Sequence, residues 1–402
     1  METRELGRFG GRLQERRLGF SRRKWHRQVR RVPELLDSVP LSRLLRSPFW
    51  VTAIGVYGAW CLYMLSTSHF SLFVRDWYMA VTMVFGSFIA GSTAAGGGAV
   101  AFPVMTLAFQ VEPGCARNFS LAIQSVGMSA AAITILLSGI RVERRALVYA
   151  SGGGAVGIVL GTFFAVPLFT QPAFTKMFFS SLWLSFALSL FLINLDRSRN
   201  VNDEIANFRP RRDGAVLAGV GALGGIVTSL TGSGLDIVTF SLLCLLYGVS
   251  EKVATPTSVV LMAWNSIVGF ALHLSLLSAP ADGVPYWHGD FHLEARDFWL
   301  VSIPVVVLGA PAGARFIRNK SRTFVATLLY AAIVLQFAAA WFVLRPEGWL
   351  AGFSALVFGA GAGLFLLLAF LGRRPMRPAK GGQGYPGRPA SLSLRGDSDR
   401  WP

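Results

Sequence analysis

The 402-residue chain is short of charge and short of cysteine. Charged residues make up 15% of it against 53% hydrophobic, whereas a water-soluble domain carries about 25% charged residues. That shortage excludes an ordinary soluble fold and leaves a polytopic membrane protein. Acidic side chains are the scarcer sign, with 21 Asp and Glu facing 38 Lys and Arg for a net charge of +17. The basic surplus lies at the ends, with 13 Lys/Arg in residues 1–47 and seven in residues 372–402. Basic cytoplasmic flanks follow the positive-inside rule, so no nucleic-acid partner is needed to account for them. The first apolar run begins only near Phe49, and Glu2, Glu5, Glu15, Glu34 and Asp37 are mixed among the arginines. The start therefore reads as a retained cytoplasmic tail, not a cleaved signal. Cys61, Cys115 and Cys244 are widely spaced in or beside apolar runs; they offer neither a disulfide framework nor a Cys/His metal set and read as small packing residues. An intramembrane enzyme would need a nucleophile with a base, a metal set or a pair of carboxylates, and the apolar runs hold none of these. The sequence calls for no cofactor and no metal.

What the chain has in abundance is long apolar runs and glycine. Stretches of spanning length lie at about 49–66, 117–140, 145–170, 174–195, 253–278, 298–316, 323–343 and 349–371, each able to cross a bilayer core as a helix. Two further stretches, 77–110 and 214–247, are 34 residues each. A straight helix of that length would reach about 51 Å, well beyond a core of about 30 Å, so each must fold back. Both carry a glycine-rich interruption: Gly91-Ser92-Thr93-Ala94-Ala95-Gly96-Gly97-Gly98 is echoed 136 residues later by Val227-Thr228-Ser229-Leu230-Thr231-Gly232-Ser233-Gly234. Breaks at membrane depth free backbone N–H and C=O groups, which are tolerated only inside protein or around a polar cavity.

Charge fixes the expected topology. If 77–110 enters and returns to one side, then Arg141-Val142-Glu143-Arg144-Arg145, the connector 196–213 with its five arginines, the basic cluster Arg315 to Arg322 and both tails all lie in the cytoplasm. The acidic loop 279–297 then lies outside, and every charged loop obeys the positive-inside rule. The fold class that follows is an all-α polytopic membrane protein of two inverted repeats, each a broken, re-entrant helical hairpin plus three transmembrane helices, with one extra helix at each end. The segments are a basic tail at 1–47, a first helix at 48–66, repeat A at 77–195, the connector at 196–213, repeat B at 214–343, a last helix at 349–371 and a turn-rich, disordered basic tail at 372–402. Inverted repeats suit alternating access to a central site. Both termini are expected on the cytoplasmic side. Gly153, Gly157 and Gly161, then Gly309 and Gly313, then Gly359 and Gly363 recur every four residues, a spacing that lets helices approach closely in lipid. Trp25, Trp50, Trp77, Trp287, Trp299 and Trp349 read mostly as interfacial anchors.

Two broken helices meeting near the midplane would bind an oxyanion through unpaired N–H groups and their positive dipole ends. The candidate substrate-binding residues are Ser92, Thr93, Gly96, Gly97, Gly98, Asn118, Ser120 and Gln124 from the first repeat, with Ser125 beside them. The second repeat supplies Thr231, Gly232, Ser233, Gly234, Thr257, Ser258 and Asn265, with Thr228, Ser229 and Ser266 as further hydroxyl or polar neighbours. Ser and Thr in membrane helices often bond back to their own carbonyls, so the clustering carries the inference. Asp236 is the carboxylate inside an apolar run, costly there and usually turned to a cavity or partner, which makes it the candidate proton-coupling residue. His273 reads as a satisfied or headgroup-level histidine, and His288 with His292 in the acidic loop as a cation site without the register to fix it. Expected partners are a small anionic substrate and the lipid bilayer, with a second copy of the chain as a candidate.

These residues resemble the TauE/SafE family of membrane proteins, often called sulfite exporters. The resemblance rests on Gly96-Gly97-Gly98-Ala99-Val100-Ala101-Phe102-Pro103-Val104-Met105 with Asn118-Phe119-Ser120-Leu121-Ala122-Ile123, and on Gly232-Ser233-Gly234-Leu235-Asp236-Ile237-Val238 with Ala254-Thr255-Pro256-Thr257-Ser258-Val259-Val260 and Asn265-Ser266. It covers roughly residues 77–345. It implies a non-enzymatic secondary carrier of the plasma (inner) membrane, an exporter of sulfite, organosulfonates or related sulfur-containing anions. The chain departs from the pattern in reading Gly-Ser-Gly at the second break, with Asp236 where the first copy has Val100. That carboxylate opens a second reading, a proton-coupled carrier of a neutral or cationic solute with Asp236 as counter-charge.

Overall fold

The computed structural model describes residues 48–93, 98–169, 171–195, 202–275, 286–318 and 320–372. Both basic tails, Trp25, Gly96 and Gly97 lie outside that set. Twelve α-helices and one two-stranded ribbon are described: α1 (Pro48–Thr67), α2 (Leu72–Ser92), α3 (Gly98–Pro103), α4 (Pro113–Leu137), α5 (Arg144–Leu160), α6 (Pro172–Asn194), α7 (Pro210–Thr231), α8 (Leu235–Ser241), α9 (Glu251–Ser275), β1 (Tyr286–His288), β2 (Phe291–His292), α10 (Leu293–Arg318), α11 (Arg322–Leu344) and α12 (Trp349–Gly372). Ten of the helices are long and apolar enough to cross a bilayer. The molecule is an all-α polytopic membrane protein. Large apolar side chains such as Leu62, Leu65, Val74, Phe85 and Leu335 are exposed on its outside, as lipid contact requires.

The local chemistry explains where helices start and stop. Pro113 and Pro210 open α4 and α7 at their first positions, where a missing N–H costs nothing. The Asp213 carboxylate accepts a bond of 2.6 Å from the Arg209 N–H at the start of α7, and Gly232 ends that helix at φ 77, a left-handed cap that a side chain would strain. Pro304 inside α10 has no N–H to give to the Leu300 carbonyl one turn back. The Trp60 indole of α1 supplies that bond instead at 2.8 Å, while the Tyr57 hydroxyl bonds the Pro304 carbonyl. These contacts fasten α1 to α10.

The chain doubles back at each glycine-rich interruption. α2 and α10 run the same way, from the Arg75–Asp297 ion pair to the contact of Phe88 with Gly313. α4 also runs with α10, from Cys115 beside Glu294 to Gly127 beside Val306. α2 and α4 are therefore parallel, and α3 with its π turn (Val104–Ala108) returns the chain, so that the Phe109 ring packs edge-on against Tyr78 with centroids 4.8 Å apart. The second interruption repeats this. α7 and α9 both run with α5, and α8 with its π turn (Leu242–Leu246) brings Tyr247 back to Asp213 at 3.3 Å.

Backbone hydrogen bonds fix the register between the two copies. Phe109 donates to Val104 O and Val111 to Met105 O; with each number raised by 138, Tyr247 donates to Leu242 O and Val249 to Leu243 O. The helices that follow begin at Pro113 and Glu251, again 138 apart, and each has 25 residues. The spacing of 136 read from the glycine runs is thus two short at the half-helices, and Asp236 corresponds to Gly98, not to Val100. Glycine composition alone leaves a shift of two open, and the hydrogen bonds at the π turns close it. α4 and α9, which correspond, run antiparallel: Leu121 meets Gly269, and Ile135 lines a cavity together with Thr255.

Small residues set the interfaces between the halves. A Cβ on Gly153 or Gly157 of α5 would run into the backbone of Ala218 or Ala222 of α7, and one on Gly313 of α10 into the Phe88 carbonyl of α2. The third glycine pair behaves otherwise. Gly359 and Gly363 meet nothing within 4 Å, and it is Gly361 that packs on Ser185 of α6, because α12 turns that edge inward, where Ser354 also bonds Ser181 at 2.8 Å.

Candidate substrate site at the junction of two broken helices

The two interruptions touch. A Cβ on Gly98, the first residue of α3, would lie 2.8 Å from Ser233 Cβ, 2.8 Å from Gln124 Nε2 and 3.3 Å from the Gly232 carbonyl oxygen. Gln124 of α4 bridges the junction, its Nε2 donating to Gly232 O at 2.7 Å and to Ser120 O at 2.9 Å. Gly232 in turn packs so closely on α4 that a Cβ would lie 2.5 Å from Ser120 Cβ and 2.8 Å from Arg117 O. Ser120, Gln124, Ser233 and Asp236 are all fully or almost fully buried.

The start of α8 is capped from within the same break. Thr228 Oγ1 accepts from the Leu235 N–H at 3.0 Å and donates to Gly224 O at 2.8 Å. Thr231 donates to Ser233 O at 2.7 Å. Asp236, in the first turn of α8, accepts from the Ile237 N–H at 2.9 Å and from Ser233 Oγ at 3.3 Å, a placement the helix dipole favours for a carboxylate. Ser233 thus stands between Asp236 and Gly98. Several polar atoms here are buried with no protein partner, namely Ser120 Oγ, Gln124 Oε1 and both amide atoms of Asn265. Unpartnered buried polar atoms are uncommon in folded proteins and call for an explanation.

The other candidate residues fall into two groups. Ser92 and Thr93 both donate to the Ile89 carbonyl (3.2 and 2.9 Å), and Ser125, Ser229, Ser258 and Ser266 likewise bond back to their own helices. Asn265 lies beyond the second half-helix, where a Cβ on Gly154 would meet it at 3.0 Å and Leu235 at 2.8 Å. Thr257 and Asn118 stand away from the junction at opposite ends. Thr257 Oγ1 accepts from the Glu143 N–H at 2.9 Å; Asn118 donates to Asp290 O at 2.8 Å and bonds His292 Nδ1 at 3.0 Å.

Asn118 leads to a charged group that composition did not reveal. Arg117, its neighbour at the start of α4, is 7% exposed and lies 3.8 Å from the Asp290 carboxylate. Asp290 sits at the turn of the β1–β2 ribbon and is bonded by His273 Nδ1 at 2.7 Å, while His292 Nε2 meets Glu112 at 3.2 Å. Burial raises the Asp290 pKa, but the His273 bond and the Arg117 and histidine charges outweigh it and hold the carboxyl below its usual range. The His292 bond likewise lowers Glu112. The available signal was an arginine at the very start of an apolar helix opposite an acidic loop. Among the described residues, no group of three or more His, Cys, Asp or Glu is arranged to hold a metal ion.

The stretch 78–340, which runs from α2 into α11 and includes both interruptions, matches the family described as Sulfite exporter TauE/SafE. The chain belongs to the TauE/SafE family. Neither curated proteins nor solved structures give a match. TauE/SafE membership implies a membrane exporter of sulfite or related anions, and α1 and α12 lie outside the matched stretch.

Proposed function

We propose that the chain is a secondary carrier that exports small sulfur-containing anions, sulfite or organosulfonates, across the plasma (inner) membrane, and that the anion binds where α3 and α8 begin. The observation that carries this reading is the contact of Gly98 with Ser233 and Gly232, bridged by Gln124. Two helix starts that converge beside unpartnered polar atoms suit a negative charge without a lysine or arginine at the centre. Binding there draws on Ser120, Gln124, Gly98, Thr231, Gly232, Ser233 and Gly234. The antiparallel course of α4 and α9, which correspond, supports inverted repeats and so an alternating exposure of the site. In this reading both termini face the cytoplasm.

Asp236 favours a second reading. Its carboxyl stands at the same junction and would serve as counter-charge for a proton or a cationic solute. Proteoliposomes separate the two. Radiolabelled sulfite, sulfate and taurine are offered with and without a proton gradient, and the anion reading expects uptake of at least one, reduced about tenfold or more by Gln124→Ala, which removes the bridge to Gly232. Uptake of none of the three, with uptake of a cationic amine, would replace the anion reading with the second.

A further inference from the structure

α4 and α9 correspond, yet the two ends of the bundle surround them differently. At the connector end a cavity of about 70 Å³ reaches in between α4, α9 and α10, from Glu251 and Lys252 past Thr255 and Ile135 to Gly91. Its floor is the end of α2, since Ser92 is the last residue of that helix and Thr93 its cap. The cavity thus stops at the first interruption, whose far side begins at Gly98, the residue in contact with Ser233. In the register of 138, Thr255, Pro256 and Ile135 correspond to Arg117, Asn118 and His273. At the ribbon end those three are drawn together around Asp290. Arg117 bonds Asn118 Oδ1 at 3.3 Å and lies 3.8 Å from the Asp290 carboxylate, Asn118 donates to Asp290 O at 2.8 Å, and His273 Nδ1 bonds the carboxylate at 2.7 Å. The ribbon turn fills at one end the place that is hollow at the other.

Thr255 supplies a second observation. It stands in the cavity wall, 2% exposed, and its hydroxyl has no partner in the protein, not even the carbonyl of its own helix that hydroxyls in membrane helices often take. A buried hydroxyl left in that state calls for an explanation, and the cavity beside it has room for several waters or a small solute. The buried Glu251 and the exposed Lys252 give the wall one charge of each sign. An ion can then enter without being held tightly, as passage along a path requires.

We propose that this cavity is the connector-side mouth of the transport path and that Thr255 is the hydroxyl that meets a small oxyanion there, on its way to or from the junction of α3 and α8. This rests on the reading of the chain as an anion carrier. The test of the mouth uses the full chain in membrane vesicles of known orientation and a membrane-impermeant methanethiosulfonate that carries a sulfonate group, with the wild type and its three cysteines as background and thermal unfolding as the check on folding. Thr255→Cys and Ile135→Cys are expected to react at least about tenfold faster than Leu335→Cys, which is 72% exposed but faces lipid, because the reactive species is the thiolate and apolar surroundings suppress it. The reaction is expected only with the reagent on the connector side. Rates equal to that of Leu335→Cys, or reaction from the ribbon side, would overturn the mouth and leave the carrier reading standing. Thr255→Val keeps the shape of the side chain and removes the hydroxyl. In proteoliposomes it is expected to raise the KM for sulfite, sulfate or taurine, whichever the wild type carries, about fivefold, with Thr255→Ser near wild type and thermal unfolding unchanged, since no bond within the protein is lost. An unchanged KM would overturn the role of the hydroxyl. A wild type that carries none of the three would overturn the carrier reading, and the passage of an anion through the mouth with it, even where the thiols react.

Discussion

The two ends of the bundle are closed by different chemistry. At the β-ribbon end, Arg117 pairs with Asp290, Asp290 with His273, and His292 with Glu112. At the connector end, Glu143 is held by backbone N–H groups, accepting from Ile205 at 2.9 Å and Arg145 at 3.2 Å, and its own N–H bonds Thr257. Beside it a cavity of about 70 Å³ reaches in from Glu251 and Lys252 past Thr255 to Gly91, at the end of α2. The difference follows from register. The residue that corresponds to Arg117 is Thr255, so the connector end has a neutral hydroxyl where the ribbon end has a buried cation. One end is held by side-chain pairs, and the other by backbone N–H groups that converge on the Glu143 carboxylate.

That contrast can be broken by substitution. The largest effect is expected from Arg117→Met, which removes the cation 3.8 Å from the part-exposed Asp290 carboxylate and two bonds to Asn118 Oδ1, and should cost about 2 kcal/mol; a thermal-unfolding midpoint equal to wild type would contradict it. Acid should act next. Glu112 and Asp290 sit below their ordinary values of 4.5 and 3.8, so their contribution is complete only above about pH 5 and is lost as pH falls through their lowered folded-state values. Unfolding of wild type against Asp290→Asn as a function of pH should show the two curves converging in acid, and parallel curves would argue against the linkage. Thr257→Val, at the other end, removes the hydroxyl that accepts from the Glu143 N–H and donates to Val253 O and should cost about 1 kcal/mol. Lys252→Gln is expected to stay within about 0.5 kcal/mol, because its side chain is exposed beside the cavity; a larger loss would mean that the connector end is closed by charge after all.

Much of the architecture was legible because hydrocarbon imposes it. Long apolar runs gave the helices, and the excess length of 77–110 and 214–247 required a return, which Phe109 beside Tyr78 and Tyr247 beside Asp213 complete. Boundaries shifted by a few residues where polar starts such as Pro113 and Pro210 extend a helix beyond its apolar run. The exact correspondence was not legible. Glycine runs look alike under a shift of two, and only the π-turn hydrogen bonds pair Asp236 with Gly98. Gly359 and Gly363 had the right spacing, but spacing does not tell which edge of a helix turns inward. At the junction Gly98, Ser120, Gln124, Ser233 and Asp236 come together, whereas the side chains of Asn118 and Thr257 bond groups at opposite ends of the bundle. Arg117 stands at the first position of an apolar run, where a basic residue is ordinary, and the ribbon beside it is local structure that apolar periodicity does not encode.

The packing of α5 on α7 and of α10 on α2 has a consequence for how the polypeptide is assembled. Each tight glycine seam joins a helix from one half of the gene product to a helix from the other, so neither half owns a complete interface. A chain severed within the connector should yield two pieces that are unstable apart and recover a folded body only when made together in one cell. Whatever rigid units slide during a transport cycle would then be mosaics of both halves.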